Sequence, residues 1–133
     1  MESVMDTIGL VKAIADPRRL KILSLLAKKE LCVCELEGIV GLSQPLASAH
    51  LKKLKTLGAL KERPAGKWVY FSIREDFWKR EKPWLSLLLD RISKESGKEA
   101  GLFRLCLKRR RDGKCVTRFQ PMKKEFHDSP IRK

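Results

Sequence analysis

At residues 43–58 the chain reads Ser-Gln-Pro-Leu-Ala-Ser-Ala-His-Leu-Lys-Lys-Leu-Lys-Thr-Leu-Gly, which is the pattern of a capped amphipathic helix. Ser43 can cap the first turn, Pro45 is tolerated in that turn, and Gly58 can end the helix in a left-handed conformation. Apolar residues recur at intervals of three and four, so they share an inward face: Ala47, Leu51, Leu54 and Leu57.

A second face of this helix is polar at its start and basic later, and it has no carboxylate. Its residues are Gln44, Ser48, Lys52 and Lys55. Short hydrogen-bonding groups followed by lysines suit a helix that lies in the major groove of DNA. Taken alone, the pattern fits a solvated helix face equally well, so the neighbouring segments decide the interpretation.

The segments before this helix predict three more helices. Residues 3–15 have a helical apolar period, and Asp16-Pro17 is a strong start for a second helix that runs to about Ala27. Residues 30–40 predict a short third helix, and residues 41–43 a tight turn into the helix described above. Two helices joined by such a turn form a helix-turn-helix whose second member contacts DNA bases.

The segment after Gly58 changes to a period of two, which predicts a β-hairpin. Residues 60–63 and 68–73 form the strands and residues 64–67 the turn. A hairpin directly after a DNA-reading helix is a wing, and Arg63 and Lys67 would either reach DNA or be solvated charges. The residues expected to contact DNA are Ser43, Gln44, Leu46, Ala47, Ser48, His50, Lys52, Lys55, Arg63 and Lys67.

The last strongly periodic segment predicts a dimerisation helix. Residues 81–83 (Glu-Lys-Pro) are expected to break the chain, and a broad apolar helical stripe follows them. Such a stripe at the end of a small domain either meets a partner, here a second copy through a symmetric interface, or packs within its own chain. The expected interface residues are Val4, Ile8, Val11, Trp84, Leu85, Leu88, Leu89 and Ile92. The predicted fold is thus a dimeric winged helix-turn-helix, mainly α with a small β-hairpin, in the order α-α-α-α-β-β-α.

The net charge of +14 in 133 residues points to a polyanionic partner, most often nucleic acid and less often an anionic membrane surface. No apolar run is long enough to span a membrane, and the acidic N-terminus is unlike a signal peptide. We therefore expect a cytosolic protein with double-stranded operator DNA as partner, no membrane partner, and four reduced cysteines.

The composition shifts at Ser96, which predicts a boundary between two parts of the chain. Residues 1–96 are assigned to the DNA-binding and dimerisation domain. Residues 97–133 are assigned to a basic, poorly ordered C-terminal extension, with a helical turn or two expected at 102–107. The basic cluster 108–111 adds sequence-independent affinity for phosphates or has no specific role.

Cys32 and Cys34, at the start of the predicted third helix, are the residues best suited to chemistry. Thiolates prefer soft, thiophilic ions. Residues two apart on a helix point about 200° apart, whereas on extended backbone they share a face. One ion could therefore hold both sulfurs only if this segment left helical geometry, which would displace the DNA-reading helix. The alternative is a pair of buried structural cysteines.

Four motifs together resemble the ArsR/SmtB family of metal-sensing repressors: residues 30–36 (Glu-Leu-Cys-Val-Cys-Glu-Leu), 43–45 (Ser-Gln-Pro), 48–51 (Ser-Ala-His-Leu) and 66–70 (Gly-Lys-Trp-Val-Tyr). The resemblance covers roughly residues 5–92. It implies a winged-helix homodimer that represses its operon and leaves DNA when a toxic ion binds. The Leu-Cys-Val-Cys motif resembles the arsenic and antimony sensors, which implies trivalent arsenic, As(III), or antimony, Sb(III), bound by Cys32 and Cys34, and a role in arsenical resistance.

The chain departs from the family pattern at Glu37, where the best-known arsenic sensors have a third cysteine. Either the site has two thiolates and a small exogenous ligand, or Cys106 or Cys115 completes it. We expect these two cysteines to be idle thiols in the extension. Zinc and nickel sensors place His and Asp pairs on the last helix, which lacks His here. His50 is expected to be packed or close to phosphate rather than a metal ligand.

Two other functions remain open at this point. A winged-helix regulator could sense another thiol-reactive signal, such as another soft metal or oxidation of Cys32 and Cys34. A small thiol enzyme is less consistent with the sequence, because the chain has no Cys-x-x-Cys in a βαβ setting and no activating base beside its cysteines. We therefore expect no catalytic residues and no organic cofactor.

Overall fold

The computed structural model describes residues 4–115, with side chains from residue 6 onward. It contains six helices and three strands within this range. In chain order they are α1 (Val4–Ile14), α2 (Pro17–Leu26), β1 (Leu31–Cys32), α3 (Val33–Val40), α4 (Gln44–Thr56), β2 (Leu60–Ala65), β3 (Trp68–Ile73), α5 (Glu75–Glu95) and α6 (Gly97–Lys108). In these residues, no helix has both the length and the apolar character that crossing a bilayer requires.

The helix-turn-helix forms where the sequence predicts it. Gly41 ends α3 with φ 81°, a left-handed conformation that glycine adopts without strain. Ser43 then caps α4 by accepting a hydrogen bond from the backbone N–H of Leu46 at 3.4 Å. Ala47, Leu51 and Leu54 of α4 are buried, and α4 packs against α3.

The wing is the antiparallel hairpin of β2 and β3, in which Ala65 pairs with Trp68 around a two-residue turn. A third strand, β1, pairs with the other edge of β3, so that the strand order is β1-β3-β2. The sequence did not predict β1, because it is only two residues long and lies beside a helical pattern. It matters for function because Cys32 lies opposite Tyr70 in this pairing.

The core lies between the sheet and the helices α2 to α5. Ile22 and Leu23 of α2 are fully buried, and Leu36 of α3 and Leu85 of α5 pack into the same apolar cluster. The winged helix-turn-helix fold predicted from the sequence is thereby confirmed.

The predicted break at residues 81–83 is wrong, because α5 runs through Pro83. An interior proline removes one backbone hydrogen bond and costs about 3 kcal/mol. Burial of Phe77, Leu85 and Leu89 along α5 offsets this cost, since each large apolar side chain contributes about 1.5–3 kcal/mol. Tertiary packing against α2 thus keeps one helix where the local sequence predicts an interruption.

Residues 97–115 differ from the poorly ordered segment that we expected. Residues 97–108 form α6, which packs against α3 and α5. Lys21 of α2 holds this helix by an ion pair with Glu99 at 3.0 Å, and Cys106 of α6 is buried in the core. The expectation for residues 116–133 lies outside the described part of the chain.

Candidate metal centre and nucleic-acid interface

Three buried cysteine thiols form a cluster at the N-terminus of α3. The sulfur of Cys32 lies 3.3 Å from that of Cys34, which lies 3.7 Å from the sulfur of Cys115. All three sulfurs lie within 4.8 Å of one another. Three soft donors in a dry site suit a thiophilic ion, so the residues present fit the kind of ligand that the family resemblance implies.

The distortion that we expected at Cys32 and Cys34 is not needed. Cys32 precedes α3 in extended backbone, with φ −91° and ψ 170°, and only Val33 begins the helix. The junction of a strand and a helix therefore brings the two sulfurs together directly. The spacing argument assumed that both residues are helical, and the assumption failed because β1 pairs with β3.

Cys115, which we expected to be an idle thiol in the extension, is buried and lies in the cluster with Cys32 and Cys34. It follows a tight turn in which the backbones of Arg111 and Lys114 exchange two hydrogen bonds of 2.9 Å. Asp112 and Gly113 occupy the centre with φ of 52° and 72°, as in a type I′ turn. The backbone N–H of Cys115 then donates to the hydroxyl of Tyr70 at 2.8 Å.

A buried ion pair holds this C-terminal segment to α3. Arg110 donates two hydrogen bonds to the carboxylate of Glu35, at 2.8 and 2.7 Å, and one to the carbonyl of Glu30 at 2.7 Å. The same carboxylate accepts from the backbone N–H of Cys32 at 3.0 Å and from the thiol of Cys106 at 3.3 Å. Sequence reasoning missed this network, because Arg110 is one of four consecutive basic residues.

The surroundings of Cys32 and Cys115 keep these two thiols of the cluster protonated. A hydrogen bond with Cys34, together with burial, raises the pKa of Cys32 far above its usual range. Burial raises the pKa of Cys115 to about 12. At Glu35 burial alone would raise the pKa, but the hydrogen bonds from Arg110 and Cys32 outweigh it and lower the pKa. Binding of a thiophilic ion to these sulfurs must therefore displace protons.

The exposed face of α4 carries most of the residues that we expected to contact DNA. Gln44 donates to the hydroxyl of Ser48 at 2.9 Å, so the two side chains lie side by side on the surface. Ser43, Leu46, Lys52 and Lys55 are also exposed, and Lys55 pairs with Glu62 of the wing at 2.9 Å. These positions stay predictions as DNA contacts.

Two residues in that set are not accessible to DNA. Ala47 is fully buried, because it lies on the inward face of α4. His50 is buried, and its Nδ1 lies 3.1 Å from a guanidinium nitrogen of Arg19. Burial lowers the pKa of His50. The expectation that His50 is packed is therefore supported, whereas both residues are corrected as direct DNA contacts.

The two wing residues lie in different environments. Arg63 forms two hydrogen bonds to the carboxylate of Glu30, at 2.9 and 2.8 Å, and its guanidinium stacks on Tyr70 with 4.9 Å to the ring centre. The positive charge of Arg63 is therefore balanced by Glu30, which makes Arg63 a weaker candidate for a phosphate contact. Lys67 lies at the tip of the hairpin, with its ammonium 5.4 Å from the ring centre of Trp68, and stays the stronger candidate for a phosphate contact.

The expected dimer face divides into buried and exposed residues. Leu85 and Leu89 belong to the chain's own core, which corrects their assignment, and Leu88 and Ile92 are half-buried. The side chain of Val4 lies outside the described residues. The large apolar side chains that stay exposed on α1 and α5 are Ile8, Val11, Trp84 and Leu87. The sequence analysis did not include Leu87 in the expected interface.

A helix-turn-helix followed by a hairpin wing defines the class of winged helix-turn-helix DNA-binding proteins. The family model described as "Bacterial regulatory protein, arsR family" matches residues 16–61, which contain α2 to α4. A cadmium resistance regulatory protein CadC homolog from Staphylococcus aureus is 40% identical over 87 residues, which are 63% of this chain and 72% of that protein. The chain belongs to the ArsR family and is a DNA-binding transcription regulator.

Other relatives support this assignment over part of their length. The arsenical resistance operon repressor of Escherichia coli is 43% identical over 72 residues, and the match covers 53% of this chain and 62% of that repressor, less than two thirds of it. Reduced HlyU from Vibrio cholerae superposes with a TM-score of 0.57 at 33% identity, covering 63% of this chain and 85% of HlyU. A homodimeric winged helix-turn-helix domain of a possible ArsR-family regulator from Mycobacterium bovis superposes with a TM-score of 0.57 at 31% identity. The match covers 65% of this chain and 81% of that domain.

Proposed function

We propose that this protein is a transcriptional repressor that binds operator DNA as a homodimer and is released when trivalent arsenic or antimony binds the thiolates of Cys32 and Cys34. The observation that carries the proposal is the distance of 3.3 Å between two buried sulfurs at the N-terminus of α3. A preformed pair of soft donors needs little rearrangement to hold a thiophilic ion.

The position of this pair couples it to both DNA-binding elements. Cys32 pairs with Tyr70 of β3, so a change at its sulfur reaches the wing through one sheet pairing. Cys34 lies on α3, which packs directly against the reading helix α4. Even a small movement of Cys32 and Cys34 on ion binding would therefore shift the wing and α4 relative to each other, without any unwinding of α3.

Two surfaces support binding to DNA as a dimer. The face of α4 with the exposed Gln44 and Lys52 and the half-buried Ser48 carries no acidic residue, in a chain of net charge +14. The exposed Ile8 and Val11 of α1 and Trp84 of α5 form the apolar surface that we assign to the contact between two copies. The cysteines serve as ligands in this proposal and not as nucleophiles, so we assign no enzymatic activity.

The descriptions of two relatives support a toxic metal or metalloid ion as the signal. The Escherichia coli relative is described as an arsenical resistance operon repressor, and the Staphylococcus aureus relative as a cadmium resistance regulator. Trivalent arsenic is favoured over cadmium here, because the cluster offers three sulfurs and no fourth donor within the described residues, which suits a pyramidal trivalent metalloid better than a tetrahedral divalent ion. A ligand set of thiolates alone suits a metalloid that prefers few, soft donors.

The test is a titration of reduced protein into a fluorescently labelled duplex from the region upstream of its own gene, followed by arsenite, antimonite, cadmium or zinc. We expect release by arsenite and antimonite. Cys32→Ser should bind the duplex normally and fail to respond, whereas Cys106→Ser, a control at a buried cysteine outside the sulfur cluster, should still respond. If the protein bound the duplex and no ion released it, release by metalloids would be refuted, and the proposal that the protein is a DNA-binding repressor would stand.

A matched pair of variants tests the reading helix. Ser48→Ala should weaken binding to the specific duplex by about 1–3 kcal/mol and leave nonspecific binding unchanged. Thr56→Ala, an exposed substitution at the other end of α4, should change neither. Equal losses on specific and nonspecific DNA would show that this face does not read bases.

Oxidation is the second candidate signal, because two thiols at 3.3 Å are close enough to react with each other after one is oxidised. Hydrogen peroxide would take two electrons from the thiols of Cys32 and Cys34, and their two protons would leave with its oxygens, giving one disulfide and two molecules of water. A solved relative is described as the reduced form of HlyU. Release of DNA by peroxide and recovery with a thiol reductant would favour this signal over metalloids.

A further inference from the structure

We propose that Cys115 supplies the third thiolate of the metalloid site, so that the C-terminal segment 109–115 is part of the sensor. This inference rests on the proposed function, and it goes beyond it by naming a ligand far along the chain from the Cys-x-Cys pair. Cys115 lies 81 positions from Cys34 in sequence, yet its sulfur is 3.7 Å away.

The distances in the cluster match a shared ion. Metal–thiolate bonds of about 2.3 Å separate two sulfurs on one tetrahedral ion by about 3.8 Å, and smaller angles bring them closer. The separations of 3.3 and 3.7 Å between neighbouring sulfurs lie close to this spacing. Cys32, Cys34 and Cys115 are 1%, 4% and 7% exposed, so the ion would be enclosed by the protein.

Three independent features position Cys115 beside Cys32 and Cys34. The Asp112-Gly113 turn reverses the chain immediately before it. Tyr70, whose backbone pairs with that of Cys32, accepts the N–H of Cys115 through its hydroxyl. The guanidinium of Arg110 anchors the segment to Glu35, the residue next to Cys34, through a pair that is almost wholly buried.

The same arrangement explains how the chain manages without a cysteine at position 37. Glu37 occupies that position on α3 and is not part of the sulfur cluster. The third donor comes instead from a segment that crosses over the N-terminus of α3. Closure of the site therefore ties three parts of the chain together, namely β1, α3 and the segment after α6.

The experiment is arsenic X-ray absorption on the full chain loaded with one equivalent of arsenite, with a phosphine reductant so that no added thiol fills the site. We expect three sulfur neighbours in the wild type and in Cys106→Ser. Cys115→Ser and Cys115→Ala should each show two sulfurs and one oxygen, with arsenite affinity lowered at least tenfold. Circular dichroism checks that each variant is folded.

The outcomes separate the two proposals. Three sulfurs in both Cys115 variants, or unchanged affinity, would overturn the role of Cys115 and leave a switch built on Cys32 and Cys34. Three sulfurs in the wild type and two in the variants would support it even if arsenite failed to release DNA, because the ligand count does not depend on release. In that case only the proposed regulatory function would fail.

Discussion

Glu35 and Arg110 form a buried ion pair across 75 positions of sequence, with Nη2 of the arginine 2.7 Å from Oε1 of the glutamate. Their side chains are 1% and 6% exposed. The carboxylate also receives the N–H of Cys32, so a single buried group links the C-terminal segment to the residue that begins the thiol cluster.

Removal of the arginine should therefore be costly. Arg110→Ala leaves the Glu35 carboxylate buried without its partner, and we expect the free energy of unfolding to fall by about 3–5 kcal/mol. Urea denaturation measures this change. Arg111→Ala, at an exposed neighbour, is the control and should change stability by less than about 0.5 kcal/mol. Equal stability of the two variants would show that the segment is not docked on α3 in solution.

Two Gly→Ala substitutions should change the free energy of unfolding in opposite directions. Gly113 has φ 72°, so alanine there should strain the turn before Cys115 and destabilise the protein by about 1–2 kcal/mol. Gly101 lies inside α6 with its nearest obstacle, the tip of Arg104, at 3.9 Å, so alanine there should stabilise by about 0.5–1 kcal/mol. Thermal unfolding followed by circular dichroism would show the two shifts, and a gain at position 113 would contradict the left-handed turn.

The N-cap of α2 should make stability depend on pH in the acid range. At Asp16 burial would raise the pKa, but hydrogen bonds from the backbone N–H of Arg19 and from Arg18 outweigh it, and the pKa lies below its ordinary value of 3.8. A lowered folded-state pKa contributes stability above the ordinary pKa, and this contribution is lost as the pH falls through the folded-state pKa.

Two variants at this position separate the cap from the charge. Asp16→Ala should lose about 1 kcal/mol at pH 7, because the cap is gone. Asp16→Asn keeps a capping side chain but cannot titrate, so the advantage of the wild type over it should shrink between about pH 5 and pH 2. Urea midpoints at several pH values measure this, and a constant difference would mean that Asp16 has the same pKa folded and unfolded.

Trp68 should report on the thiol cluster. Its side chain packs against the group formed by Cys32, Cys34, Tyr70 and Cys115. We expect arsenite to change the tryptophan fluorescence of the wild type, because soft ions near an indole alter its emission. The change should be lost in Trp68→Phe and kept in Trp84→Phe, whose indole instead donates to Glu81 at 2.8 Å on α5. A response that survives in Trp68→Phe would place the bound ion elsewhere.

The sequence was sufficient for the elements whose residues interact with near neighbours. Ser43, Gly41 and the period of three and four in residues 44–57 act within one or two helical turns, so the helix-turn-helix could be predicted locally. The wing was predictable for the same reason, although β2 extends to Ala65, so the turn that we predicted at residues 64–67 is only residues 66–67.

The failures share one cause, which is contact between residues far apart in the chain. Helix α5 continues through Pro83 because its apolar face packs on α2, and Leu85 and Leu89 are buried there rather than in a partner. Strand β1 forms because β3 offers a free edge to Leu31 and Cys32. Neither interaction leaves a pattern within a window of a few residues.

By itself the sequence determined the class of the protein and pointed to the pair of cysteines that we propose as metalloid ligands, because caps, turns, periodicities and short motifs are local. Only the tertiary structure decided that Cys32 is extended, that His50 faces inward, and that Cys115 joins the pair. The positions of Cys32 and Cys115 depend on strand pairing and on the buried Glu35–Arg110 contact, and that of His50 on its packing beside Arg19 of α2. The free energies of these contacts arise between segments that local sequence patterns cannot relate.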